Sequence, residues 1–123
     1  MTTSTTSRWN PNFRTRLVTT ALTLFTSFFG AIPAANAEPV RIGEDVWSAY
    51  DSANNEHIIK VELQDRAGDI LIEVSVPAKR AVTEFWIDCR LDVIAEARPD
   101  AQWFPVDHRK MEGWYSDVAC RLN

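Results

Sequence analysis

The residues of this chain that are suited to chemistry are few and widely spaced. Two cysteines, Cys89 and Cys120, and two histidines, His57 and His108, are its only thiols and imidazoles. A nucleophilic cysteine needs a nearby base that lowers its thiol pKa, and a structural zinc site needs four ligands at short spacings. Neither pattern is present. Two cysteines without a third therefore predict one disulfide bond, Cys89 to Cys120, in an oxidising compartment, with a free thiol or a metal ligand as the alternatives.

Asp107 and His108 form the only adjacent acid–histidine pair. Neighbouring residues of an extended segment point to opposite sides, so this spacing alone does not make a catalytic dyad. The candidate nucleophiles nearby, Tyr115 and Ser116, belong to no recognised motif, and the acids show no EF-hand spacing. The sequence thus predicts no catalytic residue, no cofactor and no metal site. A small exported hydrolase that uses Asp107 and His108, or scattered carboxylates that converge, is the less favoured alternative.

Residues 1–37 have the organisation of an export signal. Three arginines and no acid precede an apolar run, residues 17–32, and the small–x–small sequence Ala35-Asn36-Ala37 follows. We expect cleavage after Ala37, which leaves a single domain of residues 38–123 in the periplasm or outside the cell. The apolar run is short for a membrane-spanning helix, so no stable anchor is expected after cleavage.

The charge balance limits the class of partner. All 17 acids but only 10 of the 13 bases follow Ala37, so the domain has a net charge of −7. Nucleic acids and anionic membranes favour basic surfaces, so neither is expected as a partner. A protein or a cell-surface ligand is expected instead.

Alternation of apolar and polar residues predicts the elements that position these groups. It runs through residues 57–63 and 69–76, with Gly68 in the loop between them, and this pattern is typical of a β-hairpin. Shorter strands are predicted at 46–50, as the first strand, and then at 92–97 and 102–106. The segment 114–123 fits a helix or a strand, and a helix is favoured. The fold class is mainly β (small α+β), an antiparallel sheet whose C-terminal segment is pinned by the disulfide.

Alternation also assigns faces to the strand predicted at 82–91. Phe85, Ile87, Cys89 and Leu91 share one side, which is expected to be the core side. Trp86 then points to the other side. Either the C-terminal segment covers it, through Trp114 or Val118, or the ring is exposed as a binding anchor.

Tryptophan is common at binding surfaces, although it also fills the cores of small domains. The domain carries four tryptophans, and three of them are candidate binding residues: Trp86, Trp103 and Trp114.

Four motifs together resemble a known family. They are VWSAYD, DRAGDILIEVSV, WIDCR and GWYSDVAC, and they span most of residues 38–123. This combination is similar to the surface-adhesin protein E-like domain of bacterial exported proteins, although the Pro-Gly-Ser turn expected before the last cysteine is missing. The resemblance implies a small disulfide-linked β-sheet domain at the cell envelope and transfers no binding residues.

The sequence as a whole predicts a non-catalytic, adhesin-like binding module that is exported to the cell envelope. A periplasmic enzyme inhibitor is the alternative within the class of binding proteins, because a small disulfide-linked β scaffold also suits that role.

Overall fold

The structure is a computed structural model that describes residues 33–35, 37–64 and 68–123. The predicted leader lies almost entirely outside these residues, so its cleavage remains a prediction. None of the helices in the described part of the chain has the length and apolar character needed to cross a membrane.

Seven antiparallel strands form one open sheet in which each strand pairs with its neighbours in sequence. Their bounds are β1 Val40–Gly43, β2 Val46–Tyr50, β3 Glu56–Gln64, β4 Asp69–Val76, β5 Ala81–Asp88, β6 Val93–Glu96 and β7 Phe104–Pro105. Helix α1, Met111–Asp117, follows and continues as a π-helical segment, Val118–Leu122. The mainly β fold class and the C-terminal helix are thus confirmed. The segment 46–50 is the second strand and not the first, because a short exposed edge strand, β1, precedes it.

The hairpin of β3 and β4 forms the centre of the sheet. Gly68 has a φ of 97°, a conformation that favours glycine. On either side of the loop, Gln64 of β3 pairs with Ile70 of β4. β4 ends where Pro77 begins a short 3₁₀ turn, since proline cannot donate to the sheet.

The core lies between one face of the sheet and the C-terminal helical segment. Ile59, Ile72 and Phe85, from β3, β4 and β5, are fully buried against residues such as Tyr115 and Val118. Helical spacing places Tyr115 and Val118 on the same side of the segment, which explains why the helix and not a strand is formed.

The predicted disulfide between Cys89 and Cys120 is confirmed. It ties the turn after β5 to the π-helical segment, across a sequence separation of 31 residues. The expectation that Cys89 lies inside the core is wrong, because β5 ends at Asp88 and both cysteines are exposed. Asp88 Oδ1 accepts hydrogen bonds from the backbone N–H groups of Arg90 and Leu91, so the chain turns there and the alternation stops.

Candidate functional site

Among the residues that the structure describes, none forms a second layer over the central strands on the face of the sheet opposite the helix. We call this face the open face. Residues paired directly across antiparallel strands point to the same side, so the register defines its members. Two rows cross the sheet: Val40, Ser48, Ile58, Ser75 and Val82 form the first, and Val46, Lys60, Glu73 and Glu84 form the second. Val40 and Val82, at the two ends of the first row, are 63% and 62% exposed.

Three carboxylates converge at the centre of the open face. Glu73 of β4 pairs directly with Glu84 of β5, and Glu62 of β3 lies where the β3–β4 register shifts, between Val61 and Leu63. This bulge brings the Glu62 side chain to the same side, where one carboxylate oxygen from each residue lies within 4.8 Å of the others. We call these three residues the carboxylate cluster.

The carboxylate cluster retains a proton near neutral pH. A hydrogen bond with Glu84 raises the pKa of Glu62 to about 7, and partial desolvation and the negative charges of Glu84 and Glu73 act in the same direction. Lys60 opposes this shift but does not cancel it. Like charges this close disfavour full ionisation, so a cation that binds here would displace the shared proton.

The geometry of the carboxylate cluster suits an ammonium or guanidinium group. Ca²⁺ takes six to eight oxygen ligands, so a Ca²⁺ ion here would need water in addition to the carboxylate oxygens, and two members of the cluster, Glu62 and Glu84, are solvent-exposed. A lysine or arginine head group is satisfied by a few carboxylate oxygens, and such charge-assisted hydrogen bonds are among the stronger ones in proteins.

Trp86 points to the open face, as its position in the strand predicted, and its ring is covered. It is 7% exposed and packs with Trp103, which is 6% exposed, and with Val93 and Ala95. The expectation that Trp114 or Val118 covers Trp86 is wrong, because both belong to the opposite side of the sheet. The chain between β6 and β7 carries Trp103 back over the end of the sheet instead. A binding role for Trp86 or Trp103 stays a prediction.

Trp114 is half-buried against the core, and its indole Nε1–H donates a hydrogen bond to the carbonyl oxygen of Ala35 at 3.2 Å. This tryptophan therefore lies beside the N-terminal end of the described chain. It is on the side of the sheet opposite the carboxylate cluster.

A buried polar network connects the β2–β3 turn to the helix. Tyr115 Oη lies 2.7 Å from His57 Nδ1, and His57 Nε2 lies 2.9 Å from Asp51 Oδ2. Burial would raise the pKa of Asp51, but hydrogen bonds from Asn55, His57 and Ala53 lower it overall, while burial lowers the pKa of His57. An ionised Asp51 and a neutral His57 that accepts the Tyr115 hydroxyl proton satisfy every one of these contacts.

Asp51, His57 and Tyr115 are connected in the way that a catalytic triad is. Their burial and their hydrogen bonds to the backbone are typical of residues that stabilise a fold. Asp51, His57 and Tyr115 are at most 1% exposed, so no solvent-borne substrate reaches the His57 ring. Asp51 also accepts hydrogen bonds from the backbone N–H groups of Ala53 and Asn55 and thereby fixes the β2–β3 turn.

The variant Y115F is expected to lower the free energy of unfolding by about 1–3 kcal/mol, because it removes the buried hydrogen bond between the Tyr115 hydroxyl and His57 Nδ1. Urea denaturation of the wild type and the variant measures this difference. Y50F is the matched control, since the Tyr50 ring is 44% exposed and its loss of a hydroxyl is expected to have almost no effect. Equal stabilities of Y115F and Y50F would contradict the network.

Asp107 and His108 are held by different partners. Asp107 bonds the guanidinium of Arg109, which lowers the pKa of Asp107 to about 2. His108 Nε2 lies 2.8 Å from Asp92 Oδ2 in an exposed pair. The two residues therefore do not act on one another, and neither faces the carboxylate cluster.

Glu112, in the first turn of α1, is a buried acid that the sequence did not single out. It is 4% exposed, and its Oε2 accepts a hydrogen bond from the backbone N–H of Asp107. Burial raises the pKa of Glu112 to about 7, although the Asp107 N–H acts in the opposite direction.

The shift of Glu112 has a defined effect on stability. The pKa of Glu112 in the folded state lies above the ordinary value of 4.5. The contribution of protonated Glu112 to the free energy of unfolding is therefore complete below about pH 4.5 and is lost as the pH rises through about 7. Glutamine keeps an acceptor oxygen and does not titrate. We expect E112Q to be more stable than the wild type at about pH 8, by on the order of 1–3 kcal/mol, and nearly equal to it at about pH 4.5.

Denaturant unfolding at both pH values tests this prediction. E44Q, which removes an exposed carboxylate from the β1–β2 turn, controls for the change in net charge. Equal stability of the wild type and E112Q at about pH 8 would contradict the prediction, because it would mean that ionisation of Glu112 does not lower the free energy of unfolding.

Comparison of the chain with protein-family models, with curated proteins and with solved structures gave no match.

Proposed function

We propose that this protein is a non-catalytic binding module, exported to the bacterial cell envelope, whose open face binds a cationic segment of a protein partner. The observation that carries the proposal is the convergence of Glu62, Glu73 and Glu84 within 4.8 Å at the centre of an uncovered sheet face. Charge complementarity supports the partner chemistry, because a lysine or arginine would displace the shared proton and offset the negative charge that Lys60 alone does not balance.

The rows on either side of the carboxylate cluster define the rest of the partner segment. Successive same-side residues of a strand are about 7 Å apart. The row with Ile58 and Val82 therefore lies one such step from Glu73, and Leu71, with its cross-strand partner Leu63, forms the next row on the other side. An extended segment with the order apolar–x–basic–x–apolar matches these three rows.

Localisation at the envelope is supported by the disulfide, which forms in oxidising compartments, and by the order of basic, apolar and small residues in the first 37 positions. The likeness to the surface-adhesin protein E-like domain supports the same location. An adhesin and an enzyme inhibitor would both use such a surface, and the identity of the partner distinguishes them.

The test is calorimetric titration of the protein with acetyl-Val-Ser-Lys-Ser-Val-amide. We expect the double variant E62Q/E84Q to bind this peptide at least about tenfold more weakly than the wild type, which corresponds to about 1.4 kcal/mol. The variant E44Q is expected to bind as the wild type does, and a peptide with glutamate in place of lysine is expected not to bind. Affinity should rise between about pH 6 and about pH 8, because the lysine competes with the proton on Glu62.

Two outcomes would overturn the proposal. One is equal affinity of the wild type and E62Q/E84Q for the lysine peptide. The other is binding of Ca²⁺ by the wild type, lost in E62Q/E84Q, without binding of the peptide, which would identify a divalent-cation site instead.

A further inference from the structure

Residues Pro33, Ala34 and Ala35 lie as an extended segment in a cleft on the side of the sheet that carries the helix. One wall of the cleft is the β2 end and its turn, residues 50–52, and the other is the segment that leads into α1, residues 109–110. Pro33 bridges to Lys110 and Ala34 to Asp51, in both cases antiparallel. We call this the peptide cleft.

The peptide cleft holds its occupant by the backbone. Ser52 N–H donates to the carbonyl of Pro33 at 3.0 Å, and Ala34 N–H donates to the carbonyl of Arg109 at 3.2 Å. Ala35 N–H donates to the carbonyl of Tyr50 at 3.2 Å, and its own carbonyl accepts from Trp114 Nε1 at 3.2 Å. Four hydrogen bonds to a three-residue segment, none of which uses its side chains, are the mode by which proteins bind extended peptides.

The side chain at the centre of the segment determines what fits. Ala34 packs against the hydrophobic core. Pro33 is exposed, and only its carbonyl bonds the cleft, so a residue without a backbone N–H fits at this position. The floor is rigid, because Asp51 is part of the buried network with His57 and Tyr115. The cleft therefore accepts an extended chain with a small central residue and tolerates proline before it.

We propose that the peptide cleft is a second binding site, for an extended peptide with a small central residue, which the chain's own Pro33–Ala35 fills until cleavage after Ala37 removes that segment. The inference depends on the export part of the proposed function and not on the carboxylate cluster. Removal of the segment leaves Ser52 N–H, Trp114 Nε1–H and the carbonyls of Tyr50 and Arg109 to be satisfied by another peptide.

The experiment uses the protein recovered from the envelope of its host, with its first residue determined by mass spectrometry. The probe is acetyl-Ile-Pro-Ala-Ala-Asn-Ala-amide, the sequence of residues 32–37. We expect a protein that begins at Glu38 and binds the probe with a dissociation constant on the order of 1 mM or tighter, reported by tryptophan fluorescence and by backbone amide shifts of Ser52.

Two matched comparisons distinguish binding in the peptide cleft from non-specific binding of the probe. W114F removes the donor to the Ala35 carbonyl and is expected to weaken binding at least about threefold, whereas W47F removes an indole whose Nε1–H has no hydrogen-bond partner among the described residues and is expected to leave binding unchanged. A probe with leucine at the position of Ala34 is expected to bind at least about tenfold more weakly, because Ala34 packs against the hydrophobic core and a larger side chain there would have to displace its neighbours.

A processed protein that retains Pro33–Ala35 would overturn the inference, because its cleft stays filled. A protein that starts at Glu38 and does not bind the probe, or binds the leucine probe equally well, would overturn it as well and would leave the proposed function of the open face intact. A full-length protein found only in the cytoplasm would end both the inference and the export claim.

Discussion

Replacement of Trp86 by alanine is expected to lower the free energy of unfolding by about 3–5 kcal/mol, the range for the loss of a large aromatic side chain from a packed site. The ring is 7% exposed and is the centre of the small cluster with Trp103, Val93 and Ala95. The loss leaves a cavity at the end of the open face and frees the segment that carries Trp103. Urea denaturation followed by circular dichroism measures the effect.

Trp103 provides the partner variant for this prediction. If the two rings stabilise one another, W86A and W103A are expected to be non-additive in a double-mutant cycle. V82A is the control, because Val82 is 62% exposed in the same strand and its truncation is expected to change stability by less than about 0.5 kcal/mol. Unchanged stability in W86A, combined with loss of a binding partner, would instead favour an exposed anchor.

Loss of the disulfide is expected to have an effect of similar size. Replacement of both cysteines by alanine should lower the free energy of unfolding by about 3–4 kcal/mol, the loop-closure value for a separation of 31 residues. The bond joins the end of β5 to the π-helical segment, so its loss also allows that segment to separate from the sheet. Because Cys89 and Cys120 are exposed, a mild reductant is expected to give the same destabilisation without mutation.

Mass analysis under non-reducing conditions and denaturant unfolding with and without reductant test this prediction together. S52A, an exposed position outside both the disulfide and the sheet, serves as the mutational control. Two thiols that alkylate freely in the native protein, or a stability that is unchanged by reduction, would contradict it.

Period-two alternation was sufficient to predict most of the sheet. β3 and β4 each bury every second residue over part of their length, and the hairpin follows from Gly68 between them. β5 has the same alternation in its sequence, but its last four residues are all buried. β1 was not predicted, because its alternation of Val40 and Ile42 with Arg41 and Gly43 extends over only four residues. Cys89 was placed inward because the alternation continues in the sequence after the strand has ended at Asp88.

The candidate site needed information that the sequence pattern does not contain. Glu62, Glu73 and Glu84 each stand at polar positions of predicted strands, but their convergence depends on the pairing of Glu73 with Glu84 and on the bulge at Glu62. Alternation fixes the face of a residue and leaves the register between strands open. A search for acids on the outer faces of three consecutive strands would have found the carboxylate cluster as one candidate among several registers.

The contacts of Trp86 and Tyr115 were out of reach of the sequence for a related reason. The position of Trp86 in its strand predicted the correct face, but the segment that covers it comes from the connection between β6 and β7, which carries no periodic signal. His57 and Tyr115 are 58 residues apart, and only the docking of α1 on the sheet brings them together.

The most direct test of the open face as a binding surface is to map the lysine peptide onto the backbone amides by heteronuclear NMR titration. We predict that the shift changes are confined to the rows around the carboxylate cluster, at Ser48, Ile58, Glu73, Ser75 and Glu84, and that they disappear in E62Q/E84Q. Shift changes that are centred on α1, or a peptide that leaves the amides of the open face unchanged at saturation, would contradict the account.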